Sequence, residues 1–288
     1  MRVYVLSILA LSLANVAIAN PDITSREYKL MLNPNNFTSS TEASNVNSYF
    51  QAAIPVIEQR ISRDVSGSMS LDKTRQVRFY DAPNSCLLNQ RGYIFRERVE
   101  NGNSEVTLKY RGYDRYIADF EDVSGSSSQA ETKLEADISS KTNQPFAVLY
   151  SHSTTEPNTR TLNDFQDVNT HFPAFASNYG ISNNQALAIV GNFTAYERVY
   201  SGGVIDLGQF DAEMSVTLWY NGTPSASSHP VVAEVSFKYA DSSADYSKSV
   251  VNRAANSFAA LKELSTWNSP SSLTKTQYAY QYNPQFCQ

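Results

Sequence analysis

Apolar and polar residues alternate along several short segments of this chain, and that alternation limits the folds available to it. The segments YIFRERVE (93–100) and EVTLKYRGY (105–113) both alternate, with the turn NGNS beginning between them at Asn101. A period of two places alternate side chains on opposite faces of a strand, and Asn-Gly between two such runs favours a hairpin. We therefore predict two antiparallel strands here.

The same pattern returns along most of the chain. Further segments that we predict as strands lie at 23–32, 76–82, 132–138, 192–202, 212–222, 231–241 and 273–282. Apolar residues at helical spacing predict helices at 43–62, 162–180 and 243–264, with breaks at Pro55 and Pro173. At least eight strands with a few helices indicate an α+β, mainly β fold. We expect a closed antiparallel barrel of eight strands with the helices outside.

Several of these strands carry long charged side chains two or four residues apart, and hence on one face. These residues are Glu27 and Lys29, Arg96 and Arg98, Lys109 and Arg111, Lys133 with Glu135 and Asp137, and Glu234 with Lys238. If the strands close with this face inward, the cations suit phosphate oxygens and the acids suit Mg²⁺ or Mn²⁺. An ordinary antiparallel sheet with one solvated face is the alternative interpretation, and the sequence leaves it open.

The N-terminal residues, the net charge and the two cysteines indicate the cellular compartment and the partners of this protein. Residues 1–19 combine Arg2, an apolar run and a final Ala-Ile-Ala, which together predict a cleaved secretory signal peptide and a secreted or periplasmic protein. The net charge of −5 argues against a nucleic-acid partner, and no membrane anchor is indicated. Cys86 and Cys287 can form one disulfide bond or stay as two thiols, and both states remain open.

Short motifs occur in a fixed order between residue 25 and about residue 282. They are SREYK (25–29), FYDAP (79–83), Gly92, RER (96–98), TLK (107–109), KLEAD (133–137), Arg198, EVS (234–236) and Lys275. In this order they resemble the CYTH family, or triphosphate tunnel metalloenzymes, which includes class IV adenylate cyclases, thiamine triphosphatases and inorganic triphosphatases. The resemblance implies one tunnel domain, residues 20–288, with an eight-stranded antiparallel barrel.

The resemblance also implies roles for individual residues. It implies phosphoryl transfer to water from a triphosphate or inorganic polyphosphate, assisted by Mg²⁺ or Mn²⁺. The catalytic group would be Lys29, Arg96, Arg98, Lys109 and Arg198. Further substrate contacts would come from Arg111, Lys133, Lys238 and Lys275. The metal would be held by Glu27, Glu135, Asp137 and Glu234.

Two positions depart from the family pattern. Ser25 stands where the family has the first glutamate of its opening strand, and Ser236 stands where it has the second acid of a later strand. Fewer carboxylates hold a divalent ion less tightly. The alternative function is therefore a weakened or inactive barrel that binds phosphate or another polyanion without turnover. A purely structural secreted β protein is the third hypothesis.

Overall fold

The computed structural model describes residues 22–141, 144–271 and 273–288, so the predicted signal peptide lies outside the described residues. Over these ranges the chain forms nine strands. They are β1 (Ser25–Leu32), β2 (Val65–Asp81), β3 (Tyr93–Glu100), β4 (Asn103–Gly112), β5 (Glu131–Lys141), β6 (Gln144–Pro157), β7 (Ala188–Asp206), β8 (Asp211–Asn221) and β9 (Val232–Ala240). The same ranges hold six α-helices. They are α1 (Glu42–Ile61), α2 (Arg115–Phe120), α3 (Phe165–His171), α4 (Pro173–Tyr179), α5 (Lys248–Lys262) and α6 (Lys275–Tyr282).

The nine strands form one mixed sheet that closes into a ring, in the order β1-β5-β6-β4-β3-β2-β7-β8-β9 and back to β1. The mainly β, α+β class is confirmed, but the predicted set of eight antiparallel strands is not. An odd number of strands cannot close with every neighbouring pair antiparallel. The parallel pair is β1 with β5, in which Glu27 lies opposite Asp137.

The segment 273–282 is a helix, so the predicted last strand is wrong. Thr274 and Gln277 form a capping box: the Thr274 side chain accepts from the Gln277 N–H, and the Gln277 side chain accepts from the Thr274 N–H at 3.0 Å. This box satisfies two backbone donors that a helix start would otherwise leave free. The alternating tyrosines of this segment obscured the capping signal.

Helices α1 and α5 cover one outer side of the ring. Their apolar faces, with Phe50 on α1 and Phe258 on α5, pack against outward-facing strand residues such as Tyr28 and Phe237. Helix α1 runs through Pro55 as a single element, so the predicted break is not observed. Pro55 and Gln51 are both exposed, so water can reach the Gln51 carbonyl that loses its helical partner.

The C-terminal segment covers part of the ring interior. Ala279 of α6 is buried among Phe79, Trp219 and Val232. A disulfide bond joins Cys86, in the loop after β2, to Cys287, so the structure has the paired state of the two that the sequence allowed. Among the described residues, no helix has both the length and the apolar character needed to span a membrane.

Candidate functional site

The ring encloses a cavity of about 900 Å³, and charged side chains from most of the strands line it. Eleven of the thirteen residues predicted from sequence lie in its wall. They are Glu27, Lys29, Arg96, Arg98, Lys109, Arg111, Lys133, Glu135, Asp137, Glu234 and Lys275. The structure thus brings most of the predicted set to one place, because the alternation in each strand directs its charged face inward.

Carboxylates and ammonium groups alternate on the wall formed by β1, β4 and β5. The Lys29 Nζ lies 2.8 Å from the Glu27 Oε2 and 2.7 Å from the Asp137 Oδ1. The Lys109 Nζ lies 3.7 Å from the Glu135 Oε2 and 3.5 Å from the Asp137 Oδ2. Each ammonium group therefore bridges two carboxylates. This bridging follows from the register, which places Glu27 directly opposite Asp137.

Asp137 is the most heavily contacted acid of this wall. Its Oδ2 accepts a hydrogen bond from the Ser151 hydroxyl at 2.6 Å and lies 3.3 Å from the Arg111 Nη2. Burial alone would raise the pKa of Asp137, but Lys109, Lys29 and Arg111 together hold it well below its usual range. Asp137 is therefore a carboxylate at neutral pH.

Lys29 and Lys109 differ in the direction in which burial and neighbouring charges shift their pKa. Burial opposes the charged form of Lys29, but Asp137 and Glu27 outweigh it and raise the pKa. Burial lowers the pKa of Lys109 to about 8, because the attraction of Asp137 only partly offsets desolvation and repulsion from Arg111. Of these two lysines, Lys109 is thus the one whose charged form a bound anion would stabilise more.

The part of the cavity wall that β3 forms is cationic. The Arg96 Nη2 donates to the Thr107 hydroxyl at 3.3 Å, and the Arg98 Nη1 lies 3.6 Å from the Glu105 Oε1. The buried Nε atoms of both arginines have no hydrogen-bond partner. None of the ion pairs within the described ranges involves Arg96, and burial together with repulsion from Arg98 lowers its pKa well below its usual value.

Sequence reasoning missed Glu197 of β7, which faces this cationic wall. It pairs with Arg75 and accepts a hydrogen bond from the Trp219 Nε1 at 2.7 Å. Burial would raise the pKa of Glu197, but Arg98 and Arg75 outweigh it and lower the pKa to about 2. Glu197 is therefore an ionised, fully partnered acid beside the two arginines of β3.

Arg198 and Lys238 are the two predicted residues that do not line the cavity. Arg198 points outward and pairs with Glu42 of α1, which also accepts hydrogen bonds from Tyr200 at 2.8 Å and Tyr220 at 2.7 Å. The prediction that Arg198 lies in the cavity is wrong. Adjacent side chains of a strand face opposite sides of the sheet, and Arg198 stands on the outer side. Tyr200 lies on the same face of β7 as Arg198 and belongs to the outer core. An aromatic residue two positions from Arg198 was therefore the signal that this face points outward.

Replacing Arg198 with methionine should lower the free energy of unfolding and leave anion binding unchanged. The change removes the counterion of Glu42, which is only 3% exposed and keeps its two tyrosine donors, and loss of a hydrogen bond to a charged group costs about 1.5–3 kcal/mol. Denaturant unfolding measures the stability, and calorimetric titration with tripolyphosphate measures the binding. A tenfold loss of affinity in a folded variant would contradict the outward position.

Lys238 lies at the edge of the cavity wall. It is opposite Glu27 in the register of β1 and β9, so both side chains stand on the inward face. It is partly exposed and lies beyond the residues that line the cavity. Lys238 is therefore a neighbour of the site and not one of its lining groups.

The acids of the cavity do not fit a divalent metal ion. Over the described ranges, no group of three or more histidine, cysteine, aspartate or glutamate side chains is placed to hold one. Each predicted metal ligand has an ammonium partner: Lys29, Lys109 and Lys133 pair with the acids of β1 and β5, and the Lys275 Nζ lies 2.7 Å from the Glu234 Oε1. The Mg²⁺ or Mn²⁺ of the sequence analysis stays a prediction that this arrangement does not favour.

The two serine positions keep the carboxylate count low. Ser25 is opposite Glu135 in the register and is buried, and its hydroxyl has no hydrogen-bond partner. Ser236 is opposite Lys29, and its hydroxyl lies 3.0 Å from that of Ser215. The acids that the family pattern would place here are thus replaced by neutral groups that add no charge to the wall.

The cavity is cationic although the chain is acidic. Among the described lining residues, eight carry a positive charge and five carry a negative charge, an excess of three cations. The whole chain has a formal charge of −5. A low-dielectric wall with an excess of one sign attracts the opposite charge. The arrangement is therefore suited to an anionic ligand.

Solved structures similar to this chain include HpAC1 from Hippeastrum, a proposed adenylyl cyclase described as having a dominant triphosphatase activity. It is 13% identical with a TM-score of 0.43, and the match covers 91% of this chain and 97% of that one. A proposed adenylate cyclase from Bacillus halodurans is also 13% identical, with a TM-score of 0.42 and coverage of 89% and 96%. No protein-family model and no curated protein sequence matches the chain. Both similarities are distant.

Proposed function

We propose that the cavity binds a multiply charged phosphate compound, such as tripolyphosphate or a small molecule that carries a polyphosphate chain. The observation that carries this proposal is Arg96, a guanidinium that faces the cavity without a carboxylate partner. Burying a charge without a counterion is costly, so an anionic ligand beside Arg96 would lower the free energy of the site. Guanidinium groups match phosphate oxygens in geometry and charge.

The rest of the cavity supports the same ligand class. Arg98 stands two residues from Arg96 on the same face, and Lys109 lies on the neighbouring strand. A polyphosphate has several charged oxygens along its length and can contact all three cations at once. A volume of about 900 Å³ lies within the range of roughly 300–1,000 Å³ that small-molecule sites occupy.

Hydrolysis of the bound compound is the second candidate, and the resemblance of the motifs is what favours it. Arg96, Arg98 and Lys109 could offset charge that develops on a transferring phosphoryl group. Because the acids are all paired with lysines or arginines, the residues supply no evident metal cage for this reaction. Binding without turnover is therefore the function that the geometry supports best.

Calorimetric titration of the full mature chain with sodium tripolyphosphate tests the proposal. We expect one ligand per chain, with a dissociation constant in the micromolar range or below. Phosphate release from the same samples, with and without Mg²⁺ or Mn²⁺, tests hydrolysis separately. The binding proposal fails if tripolyphosphate, pyrophosphate and ATP all give no heat and no shift in melting temperature.

Export from the cytoplasm remains part of the proposal. The predicted leader and the Cys86–Cys287 disulfide bond support it, since such bonds persist in oxidising compartments. Fractionation of the source cells, with an antibody against the mature chain, tests it. Recovery of the protein solely in the cytoplasm, with residues 1–19 still attached, would refute it.

A further inference from the structure

We infer that the lysines of the cavity take the place of a divalent metal, so that this site binds its phosphate ligand without Mg²⁺ or Mn²⁺. The inference rests on the proposed function and adds the ionic requirement of the site. Lys29 carries it, because its Nζ lies between Glu27 and Asp137, within 2.8 Å of an oxygen of each. A single cation between two carboxylates is the arrangement that a bound metal ion would otherwise supply.

The other acids are satisfied in the same way. Glu135 has Lys133 at 3.0 Å and Lys109 at 3.7 Å, and Glu234 has Lys275 at 2.7 Å. A divalent ion would have to displace an ammonium group or add two positive charges to a wall whose acids are already neutralised. Both are unfavourable where burial weakens the screening of like charges.

Ser25 and Ser236 explain why lysines are sufficient to neutralise the acids of the wall. Ser25 and Ser236 each stand on an inward face beside the wall, opposite Glu135 and Lys29. Acids at both positions would add two negative charges near Lys29, and that excess would call for a cation of higher charge. With hydroxyl groups there, the four acids already have five basic partners, and no further cation is needed to neutralise them.

The bound anion would meet the free sides of these ammonium groups. An ammonium group has three donors, and Lys29 uses two of them on Glu27 and Asp137. The guanidinium groups of Arg96 and Arg98 line the same cavity and supply further donors. The ligand thus makes its contacts through nitrogen donors.

Two measurements test this inference independently. The first titrates tripolyphosphate into the wild-type chain with EDTA present, and then with Mg²⁺ in excess. We expect full binding in EDTA and an apparent affinity that is unchanged or lower with Mg²⁺, since the metal competes for the ligand in solution. Binding that occurs only with Mg²⁺ would overturn the inference while leaving the proposed function in place.

The second measurement needs no phosphate ligand. Electron paramagnetic resonance follows free Mn²⁺ in the presence of the wild-type chain, Lys29→Met, and the double variant Ser25→Glu, Ser236→Glu. We expect no Mn²⁺ binding by the wild type at millimolar metal and at least a tenfold gain for Lys29→Met, which leaves Glu27 and Asp137 without their shared cation. Lys238→Met is the matched control, because it removes a positive charge opposite Glu27 without removing an ion pair within the described residues.

Each of these Mn²⁺-binding measurements has a result that would refute the inference. Stoichiometric Mn²⁺ binding by the wild type at micromolar metal would overturn the inference even if tripolyphosphate failed to bind. If Lys29→Met does not fold, the serine double variant provides the same test by adding carboxylates instead of removing the ammonium group. A gain of Mn²⁺ affinity in Lys238→Met equal to that in Lys29→Met would also refute the specific role of Lys29.

Discussion

Replacing Arg96 with methionine should weaken tripolyphosphate binding by about 30-fold or more and should stabilise the unliganded protein. The loss of a buried charged contact in a complex costs about 2–5 kcal/mol, which gives the expected fall in affinity. The gain in stability has a separate cause. The Arg96 guanidinium has a neutral partner, Thr107, and its neighbour Arg98 repels it. Its removal relieves both burial and repulsion, and we expect about 1–2 kcal/mol in the free energy of unfolding.

Arg78 provides the matched control for this experiment. It lies one strand away on β2, outside the cavity lining, and its Nη1 is 3.1 Å from the Glu97 Oε2. Arg78→Met should lower stability, because Glu97 is buried and loses a partner, and should leave affinity unchanged. The two variants therefore move stability in opposite directions. If Arg96→Met instead lowers stability and leaves the affinity intact, Arg96 is a structural residue and the proposed site is wrong.

The inward faces of single strands could be predicted from sequence because their cause is local. Arg96 and Arg98 share a face for the same reason as Lys109 and Arg111: side chains in a strand repeat every two residues. Apolar residues on the opposite faces of these strands, such as Phe95, Leu108 and Tyr110, show which face is covered. No knowledge of neighbouring strands was needed for these positions.

The errors arise where the answer depends on neighbours. On β7, residues 196–200 carry aromatic or charged side chains on both faces, so alternation alone does not show which face is inward. The family resemblance implied Arg198, and Glu197 was missed. The packing of Tyr200 against α1 decides between them, and that contact joins distant parts of the chain. The ninth strand and the parallel β1–β5 pair are also properties of ring closure, which no local pattern encodes.

The chemistry of the acids was the least predictable part of the site. Glu27 and Asp137 are more than 100 residues apart in sequence, and the ion pairs of Lys29 depend on the register between their strands. From sequence, four acids on inward faces indicated a metal cage. The register shows that each acid instead has a basic partner, so the same residues lead to a different chemical expectation.

Replacing Cys86 and Cys287 with serine should lower the free energy of unfolding by about 3–5 kcal/mol. The bond joins residues 201 positions apart, and loop-closure entropy for a loop of this length gives about 5 kcal/mol as an upper figure. Denaturant unfolding of the double variant against the oxidised wild type measures the difference. Wild type treated with a reducing agent should approach the variant, which separates loss of the bond from the effect of the serine side chains.

The same variant should loosen α6 before the ring unfolds, because the remaining ties of the C-terminal segment are individually weak. The Tyr280 hydroxyl donates to Asp81 at 2.9 Å, and the Asn84 N–H donates to the Phe286 carbonyl at 2.7 Å. Each such hydrogen bond contributes only about 1 kcal/mol. Trypsin should therefore cleave after Lys275 in the variant under native conditions and spare the oxidised wild type. Because Lys275 pairs with Glu234 in the cavity wall, release of α6 should also leave that acid unpaired and weaken tripolyphosphate binding. Equal protection of Lys275 in both proteins would mean that the packing, hydrogen bonds and ion pair of the C-terminal segment hold the helix without the disulfide bond, and that the bond acts only on the unfolded chain.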